Sequence, residues 1–333
     1  MQKNILITGA SGFIGSFLVE DAIARGYRVF AGIRSSSNRV WLTDPGIHFV
    51  ELDLDNRHQL ELVLQQTAAQ FGKFDYIVHA AGLTKTLDPF AFTKVNFGGT
   101  QNLVEALQHT SLIPEKFVFV SSLASYGPGK EDRSPIDAAG PQRPVTAYGK
   151  SKLLAEQFLY HQRDFPFVVI NPTTVYGPRD KDFLYVLQTI QRGMELYIGT
   201  RRQLLSFVHV QDLVSAIWLA MESPVVQQNL LVSDLANYTA AEMNYIIRKL
   251  LSRKTIPLVV PAWIAFMAAM LSESAGRFRG RTPLLNRERM KEFSAINWSV
   301  DAKAIAALGY QPKYGLEDGL QGTIEWYREN QWL

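Results

Sequence analysis

The chain has 333 residues, of which 47% are hydrophobic and 20% are charged, and its formal net charge at pH 7 is +3. This composition is typical of an ordinary globular protein, and the length allows one large α/β unit or two lobes. So small a net charge does not by itself argue for nucleic acid or an anionic membrane as a partner. The absence of cysteine excludes disulfides and thiolate metal sites, and no metal site is predicted.

Short apolar runs alternate with amphipathic segments through the first half of the chain. The apolar runs are expected to form buried parallel strands at residues 4–8, 28–33, 47–52, 76–80, 117–121 and 167–171. Helical periodicity between them predicts helices at residues 13–25, 59–70, 92–108 and 148–160. This alternation predicts an α/β fold, a Rossmann-type doubly wound parallel sheet with helices on both faces.

The second half of the chain has a different organisation. A helix and loops are expected at residues 178–204, then a strand at 207–210, a helix at 211–222, a last strand at 230–232 and mostly helix from residue 239. A short helix at 302–308 is expected to have Asp301 as its N-cap and Gly309 beyond its end. Residues 1–177, with 207–236 returning to them, are predicted to form the dinucleotide-binding domain. Residues 178–206 and 237–333 are predicted to form a smaller, mostly helical C-terminal substrate lobe.

The longest apolar stretch, residues 256–271, is interrupted by two prolines and is too short to span a bilayer. Its second part, residues 261–271, is expected to cover a substrate pocket or to be ordinary core. An interfacial helix stays open, because Trp263, Phe266 and Met270 can share one face. The first strand begins at residue 4, which leaves no room for a signal peptide, so a cytoplasmic location is predicted.

A glycine-rich turn follows the first predicted strand and opens the first helix. Gly9 permits the tight turn, Gly12 lets the backbone approach phosphate, and Gly15 allows the helix to pack near the sheet. A dinucleotide pyrophosphate would then meet free N–H groups at the positive end of the helix. The intervening residues of this predicted cofactor-binding turn are Ser11, Phe13 and Ile14.

The end of the second strand indicates which cofactor is bound. A carboxylate there holds a ribose 2′-hydroxyl, whereas Arg suits a 2′-phosphate. Here Arg34 follows the strand directly, Ser35 supplies a donor, and Arg39 is close enough in sequence to reach the same phosphate. NADP(H) is therefore predicted over NAD(H), with a basic surface loop as the alternative interpretation.

The turns after the third and fourth strands are expected to hold the adenosine half of the cofactor. Asp53, followed by Leu54, is predicted to accept a hydrogen bond from the adenine amino group, or else to be a turn or helix-capping residue. His79 is predicted to be a packed core histidine. Three small residues after it would let the backbone approach the ribose closely: Ala80, Ala81 and Gly82.

Tyr148 and Lys152 are four residues apart on a predicted helix and therefore share a face. A nearby ammonium is expected to lower the phenol pKa, as proton transfer at a carbonyl requires. Ser121 and Ser122 close the fifth strand, where a serine can donate to a carbonyl oxygen or simply form a turn. Asn96 is a poor helix former inside a predicted helix, so it either kinks that helix and organises water or is a satisfied core amide.

With these motifs in place, the sequence resembles the extended short-chain dehydrogenase/reductase superfamily, the group of NAD-dependent epimerases and dehydratases. The resemblance runs nearly end to end and includes two further runs, at residues 171–178 and 207–212. It implies that Ser122 is the catalytic serine and Tyr148 the acid/base. It also implies that Lys152 activates Tyr148 and binds the nicotinamide ribose.

By the same resemblance, Pro172 and Val175 border the nicotinamide. The superfamily also implies a homodimer, in which the helices carrying Asn96 and Tyr148 pair with those of a second copy. The apolar residues of these helices would face either that partner or the sheet: Leu103, Leu107, Leu153, Leu154 and Phe158.

Two departures from the epimerase pattern concern the substrate. Leu205 and Ser206 stand where sugar-nucleotide epimerases carry a pyrophosphate-binding Arg, and residues 169–172 look more like dihydroflavonol, cinnamoyl-CoA and 3β-hydroxysteroid enzymes. Several arginines offer other ways to hold phosphates: Arg201, Arg202, Arg277, Arg279 and Arg281.

We therefore predict a reductase or dehydrogenase that moves hydride between NADP(H) and a small ketone, aldehyde or secondary alcohol. One alternative is a nucleotide-sugar epimerase or dehydratase with tightly bound NAD(H). The other is a protein that binds the cofactor without catalysis, although the intact pair Tyr148 and Lys152 weighs against it.

Overall fold

A computed structural model describes residues 2–279 and 286–333. Its strands are, in chain order, β1 (Asn4–Thr8), β2 (Arg28–Ile33), β3 (His48–Glu51), β4 (Tyr76–His79), β5 (Lys116–Val120), β6 (Phe167–Pro172), β7 (Thr174–Tyr176), β8 (Met194–Ile198), β9 (Leu204–Leu205), β10 (Phe207–His209), β11 (Asn229–Val232), β12 (Tyr238–Thr239) and β13 (Ile256–Val260).

The helices flank these strands. They are, in chain order, α1 (Phe13–Ala24), α2 (Arg57–Phe71), α3 (Pro89–Phe92), α4 (Gly99–His109), α5 (Ala147–Tyr160), α6 (Asp182–Gln191), α7 (Val210–Glu222), α8 (Ala240–Leu250), α9 (Ala262–Arg279), α10 (Arg287–Phe293), α11 (Lys303–Ala307) and α12 (Leu316–Glu329). A π-helical turn, Thr93–Gly98, joins α3 to α4, and a 3-10 turn, Leu123–Ser125, follows β5.

Seven strands form one parallel sheet in the order β11-β6-β5-β4-β1-β2-β3, which confirms the predicted Rossmann-type fold. Thr8 at the end of β1 lies opposite Gly32 on one side and His79 on the other. Because the strands are parallel and in register, the turns that follow β1, β2 and β4 meet at one edge of the sheet. Ligands of open α/β sheets bind at this edge.

Helices cover both faces of the sheet. Successive strand residues point to opposite faces and therefore belong to different cores. Ile5 and Ile7 belong to a core completed by α1 and α7, whereas Leu6 belongs to a second core completed by α2, α4 and α5. A third core joins α6, α8 and α12 around Tyr176. Three two-stranded sheets lie outside the large one: β7 with β10, β9 with β12 and β8 with β13. The division into two lobes at the predicted boundaries stays a prediction.

Several predicted elements differ from the structure. Residues 256–260 form an extended strand paired with β8, so the helical segment begins only at Ala262. The last short helix begins at Lys303, and Asp301 is not its N-cap; its carboxylate instead accepts the Lys303 backbone N–H in a local turn. Leu103 and Leu107 are fully buried in the core under the sheet, so they do not face a partner. The homodimer stays a prediction.

Candidate active site

The glycine-rich turn is compact, and two of its glycines are required by their surroundings. Gly9 has a φ of +67°, and a Cβ there would lie 2.7 Å from the Cα of Ala81. A Cβ on Gly15 would lie 2.1 Å from the Gly9 carbonyl oxygen, while the Gly12 N–H donates to that same oxygen at 2.9 Å. The turn therefore holds the start of α1 directly against the end of β1.

The N-terminus of α1 offers its N–H groups to a ligand. Gly12 occupies the N-cap position without any side-chain cap, and the first turn carries no acidic residue. By contrast, Asn56 caps α2 and Thr146 caps α5 through side-chain oxygens. An uncapped helix end at this edge fits a pyrophosphate, which would accept those hydrogen bonds and meet the positive end of the helix dipole. Ser11, Phe13 and Ile14 are partly buried around it.

The residues after β2 form an exposed, basic turn. The Arg34 N–H donates to Ser37 Oγ at 3.0 Å, and the side chains of Arg34 and Ser35 are exposed. The Arg39 guanidinium stacks on the Phe49 ring, 4.5 Å from its centroid. This turn lies at the ligand-binding edge and provides cationic and hydroxyl groups where a ribose 2′-phosphate would sit.

Asp53 takes part in a local turn, as its alternative interpretation proposed. Its carboxylate accepts the Asp55 N–H at 3.1 Å, and Asn56, not Asp53, caps α2. The Asp53 side chain remains exposed. Leu54 is held through its carbonyl, which accepts a hydrogen bond from the Asn102 amide at 2.8 Å.

The small residues after β4 connect the cofactor turn to the candidate catalytic groups. The Ala81 N–H donates to Thr8 Oγ1 at 3.2 Å, and a Cβ on Gly82 would lie 3.4 Å from Lys152 Nζ. Ala80 is partly buried beside them. His79 is buried, with both ring nitrogens in hydrogen bonds, and burial lowers its pKa to about 3, so its imidazole is neutral. His79 is therefore a packed core histidine, as predicted.

Lys152 lies below Tyr148 on α5 and is buried. Its Nζ donates to the Val120 carbonyl at 2.9 Å and lies 4.8 Å from the centroid of the Phe119 ring. Burial lowers the pKa of Lys152 to about 8, and the charge of Glu156 opposes that shift. The amine is therefore held beneath the small-residue turn and stays mostly protonated at pH 7.

The expected lowering of the Tyr148 pKa is wrong for the protein without cofactor. Burial raises the pKa of Tyr148 to about 12, and a hydrogen bond with Ser122 lowers it only in part. The Lys152 ammonium, which donates to the Val120 carbonyl, is not among the groups that shift the pKa of Tyr148. The Tyr148 phenol is consequently protonated at neutral pH, the form that donates a proton to a carbonyl.

Ser122 and Asn96 are placed near this pair by short-range contacts. Ser122 caps the 3-10 turn after β5, where its Oγ accepts the Ala124 N–H at 3.1 Å. Asn96 is buried in the π-helical turn; it accepts the Leu83 N–H at 2.6 Å and donates to Ser151 Oγ at 2.9 Å. Asn96 thus joins the loop after β4 to the helix that carries Tyr148 and Lys152.

A buried polar network beneath Lys152 was missed by the sequence analysis. Glu156 is almost fully buried and accepts hydrogen bonds from Ser121, from the Asn171 amide at 2.8 Å and from the Asn229 amide at 3.0 Å. The only sequence signal for Glu156 is its spacing, because it lies on α5 one turn beyond Lys152. The network fixes the ends of β5, β6 and β11 to the candidate catalytic helix.

Two carboxylates from α10 meet the N-terminus of α5. Glu288 accepts the Ala147 N–H at 2.6 Å, and Glu292 accepts the Thr146 hydroxyl at 3.0 Å. Negative groups at this position stabilise the helix end. The C-terminal segment therefore anchors the helix that carries Tyr148.

A cavity of about 300 Å³ adjoins this helix end. Phe92 lines the cavity, and its ring lies edge-on to Tyr148 with 5.9 Å between centroids. Two cations in the described lining are paired: Arg287 with Glu273 at 2.9 Å, and Lys291 with Glu288 at 2.6 Å. The lining residues are Thr86, Leu87, Pro89, Phe92, Phe266, Glu273, Asn286, Arg287, Glu288 and Lys291.

Three further residues that the sequence analysis singled out are not among the residues that line the cavity: Pro172, Val175 and Ser206. Pro172 is buried at the end of β6, and Val175 is partly buried in β7. Ser206 is buried and hydrogen-bonded to Asn237. Arg201 and Arg202 are exposed and are not among the residues that line the cavity. The side chains of Arg277 and Arg279 are not described, and Arg281 lies outside the described residues.

The fold and this edge together define a dinucleotide-dependent α/β enzyme, with an uncapped helix end that fits a pyrophosphate and with Tyr148 and Lys152 on one helix. The family model for the NAD dependent epimerase/dehydratase family matches residues 5–232 of the chain. The chain belongs to that family. It is an NAD(P)-dependent enzyme of the extended short-chain dehydrogenase/reductase type, which confirms the predicted superfamily and enzyme class.

Similar proteins include both epimerases and reductases. UDP-glucose 4-epimerase of Vibrio cholerae is 28% identical over 338 residues, covering 98% of this chain and 95% of the relative. Ceramide reductase of Caulobacter vibrioides is 24% identical over 331 residues, covering 99% and 96%. The solved structure of UDP-glucose 4-epimerase from Thermus thermophilus, in complex with NAD, has a TM-score of 0.77 at 21% identity, covering 98% and 99%.

Proposed function

We propose that the protein is an NADP(H)-dependent reductase or dehydrogenase whose substrate is a ketone, or the corresponding secondary alcohol, on a largely apolar body. The observation that carries this proposal is the cavity at the N-terminal end of α5. Tyr148 does not line this cavity, but the ring of Phe92, which does, lies edge-on to Tyr148. Four apolar side chains form much of its wall: Leu87, Pro89, Phe92 and Phe266.

Charge pairing in the cavity supports an uncharged substrate. Arg287 and Lys291 are each neutralised by a carboxylate, so a diphosphate would have to compete with Glu273 and Glu288 for them. Burying apolar substrate surface against Phe92 and its neighbours contributes roughly 25 cal/mol per Å² before binding costs are subtracted. The similarity to ceramide reductase favours a ketone that carries long alkyl chains.

In the proposed site, the protonated Tyr148 donates its proton to the substrate oxygen, and Ser122 donates a second hydrogen bond to the same atom. Bound nicotinamide supplies the hydride to the carbonyl carbon, or accepts it in the reverse direction. Lys152 supplies a positive charge one helical turn from Tyr148. Its Nζ would lie 3.4 Å from a Cβ on Gly82, next to the turn where the ribose is expected. Asn96 connects the loop after β4, through Leu83, to α5, through Ser151.

Cofactor preference gives a direct test through Arg34. NADPH is expected to bind more tightly than NADH, and Arg34→Ala is expected to remove most of that difference, because a charge-assisted contact with the 2′-phosphate is lost. Such a contact corresponds to about ten- to a hundredfold in affinity. Fluorescence titration of both cofactors measures the effect.

Arg163→Ala is the matched control for that experiment. Arg163 is also exposed, but it precedes β6 at the opposite edge of the sheet and should leave both affinities unchanged. Equal affinities of the unmodified protein for NADPH and NADH would reject the role of Arg34. They would also favour the epimerase alternative with tightly bound NAD(H).

The substrate class is tested with a panel. Steroid, aryl and long-chain aliphatic ketones are expected to stabilise the protein against heating in the presence of cofactor, and at least one class to be reduced. UDP-, GDP- and dTDP-sugars are expected to do neither. Stabilisation or turnover by a nucleotide sugar alone would instead support the epimerase or dehydratase function, which the similarity to UDP-glucose 4-epimerase favours.

A further inference from the structure

One region of the surface is apolar and exposed without an obvious partner. The first part of α9 carries six large apolar side chains that are 39–72% exposed: Trp263, Ile264, Phe266, Met267, Met270 and Leu271. The sequence analysis expected this part of α9 to be ordinary core or to cover a substrate pocket. Most of its side chains are exposed, and Phe266 is its one described residue that lines the cavity. Among its described residues from 262 to 271, only Ala265 and Ala269 are buried.

The helix buries its small residues and exposes its large apolar ones, the reverse of an ordinary surface helix. Its small residues face inward, where Ala265 and Ala269 pack with Met290 and the ends of β8 and β13. Its large residues face outward. A helix in contact with water normally buries its large apolar residues, so this orientation indicates that another apolar phase covers the outer side.

The adjoining strand pair extends the same surface. Along β8, Met194 and Leu196 are exposed whereas Glu195 between them is buried. Their register partners on β13, Ile256 and Leu258, are exposed as well. We call the outer side of this strand pair and of residues 262–271 the apolar face.

Charge at the border of the apolar face indicates what covers it. Because β8 and β13 are parallel, the residues that precede both strands lie at the same edge: Arg192 on one side, Arg253 and Lys254 on the other, all exposed. No charged residue occurs in the sequence between Lys254 and Glu273. An uncharged apolar surface with a cationic edge matches the acyl region and the anionic headgroups of a bilayer.

We infer that the apolar face docks on the surface of an anionic lipid bilayer without spanning it. No helix in residues 2–279 or 286–333 is long and apolar enough to cross a membrane. Trp263 suits the headgroup boundary, and the cationic edge supplies the second of the two signals that stable peripheral binding needs. A face-to-face contact between two copies would cover the apolar residues and leave the cationic edge unexplained.

The docked orientation also connects the membrane to the active site. Phe266 belongs to the apolar face and lines the cavity at the N-terminal end of α5. A substrate with alkyl chains would therefore reach the cavity from the bilayer without crossing water. This route rests on the function proposed above, whereas the docking does not.

Flotation of the full chain with lipid vesicles tests the docking. Vesicles of phosphatidylcholine alone are compared with equimolar phosphatidylcholine and phosphatidylglycerol. The unmodified protein is expected to float with the anionic vesicles and less with the neutral ones. The double variants W263S/L271S and R253Q/K254Q are each expected to reduce binding at least about tenfold, in line with the loss of one of the two binding signals.

Leu62→Ser is the matched control, because Leu62 is 45% exposed on α2 and lies outside the apolar face. It should bind vesicles like the unmodified protein. Melting curves and turnover of a short water-soluble ketone should be unchanged in W263S/L271S, which separates docking from folding and from the proposed chemistry.

Failure of the unmodified protein to bind anionic vesicles would overturn the docking, and so would binding that W263S/L271S leaves intact. Sedimentation gives one further outcome. If the unmodified protein is a dimer that does not bind vesicles, and W263S/L271S is a monomer, the apolar face is covered by a second copy and the bilayer is rejected. If the unmodified protein binds anionic vesicles but reduces none of the ketones, the proposed function is rejected and the docking is not.

Discussion

Replacing Tyr148 by Phe is expected to lower turnover by about a hundredfold or more, because general acid catalysis is lost. The substitution removes only the hydroxyl, so the ring keeps its edge-on contact with Phe92. The expected contacts with the pyrophosphate and the adenosine lie in the turns after β1, β2, β3 and β4 and do not involve the phenol, so cofactor affinity should change little. Steady-state turnover with the best ketone of the panel and a cofactor titration measure the two effects.

Tyr185→Phe is the control for loss of a tyrosine hydroxyl. Tyr185 is 48% exposed on α6, and its replacement should leave turnover unchanged. Near-normal turnover of Tyr148→Phe would contradict the role of Tyr148. Loss of both turnover and cofactor binding would show that the residue acts on the structure of the site rather than on proton transfer.

Gly15→Ala is expected to weaken cofactor binding by about tenfold or more, which corresponds to at least about 1.4 kcal/mol. The new Cβ would lie 2.1 Å from the Gly9 carbonyl oxygen and 2.9 Å from the Ala10 Cα, both backbone atoms. The turn must therefore shift, and the N–H groups at the start of α1 move with it. Overpacking of this kind also costs roughly 1–3 kcal/mol of stability. Calorimetric titration and thermal unfolding measure the two changes.

The same substitution at Gly322 provides the control. Gly322 lies in α12, and a Cβ there meets no atom within 4 Å. Gly322→Ala should leave cofactor binding unchanged and stabilise the helix by up to about 1 kcal/mol, the difference in helix propensity between the two residues. Unchanged cofactor affinity in Gly15→Ala would contradict the tight-turn account of the pyrophosphate site.

The sequence by itself determined the parts of this protein that depend on neighbouring residues. Apolar runs identified the strands of the parallel sheet, and their alternation with helices identified the fold. The glycine-rich turn was recognisable because the positive φ of Gly9 and the close contact of Gly15 with the Gly9 carbonyl are both set within the turn. The spacing of Tyr148 and Lys152 was sufficient to place them on one helix, since i and i+4 positions lie on one face.

Tertiary structure decided what depends on residues far apart in the chain. The direction of the Tyr148 pKa shift followed from burial, which is not visible in local spacing. The support of α5 by Glu288 and Glu292 crosses about 140 residues of sequence separation, as the Ala147–Glu288 hydrogen bond shows.

The outward orientation of the large side chains on α9 was also beyond the sequence. A helix that is apolar on every side has no preferred face of its own, so its orientation is set by what packs against it. Here Ala265 and Ala269 fit closely against Met290 and the strand ends, and this contact turns the larger side chains outward. Periodicity indicates which residues share a face, whereas only packing decides which face is buried.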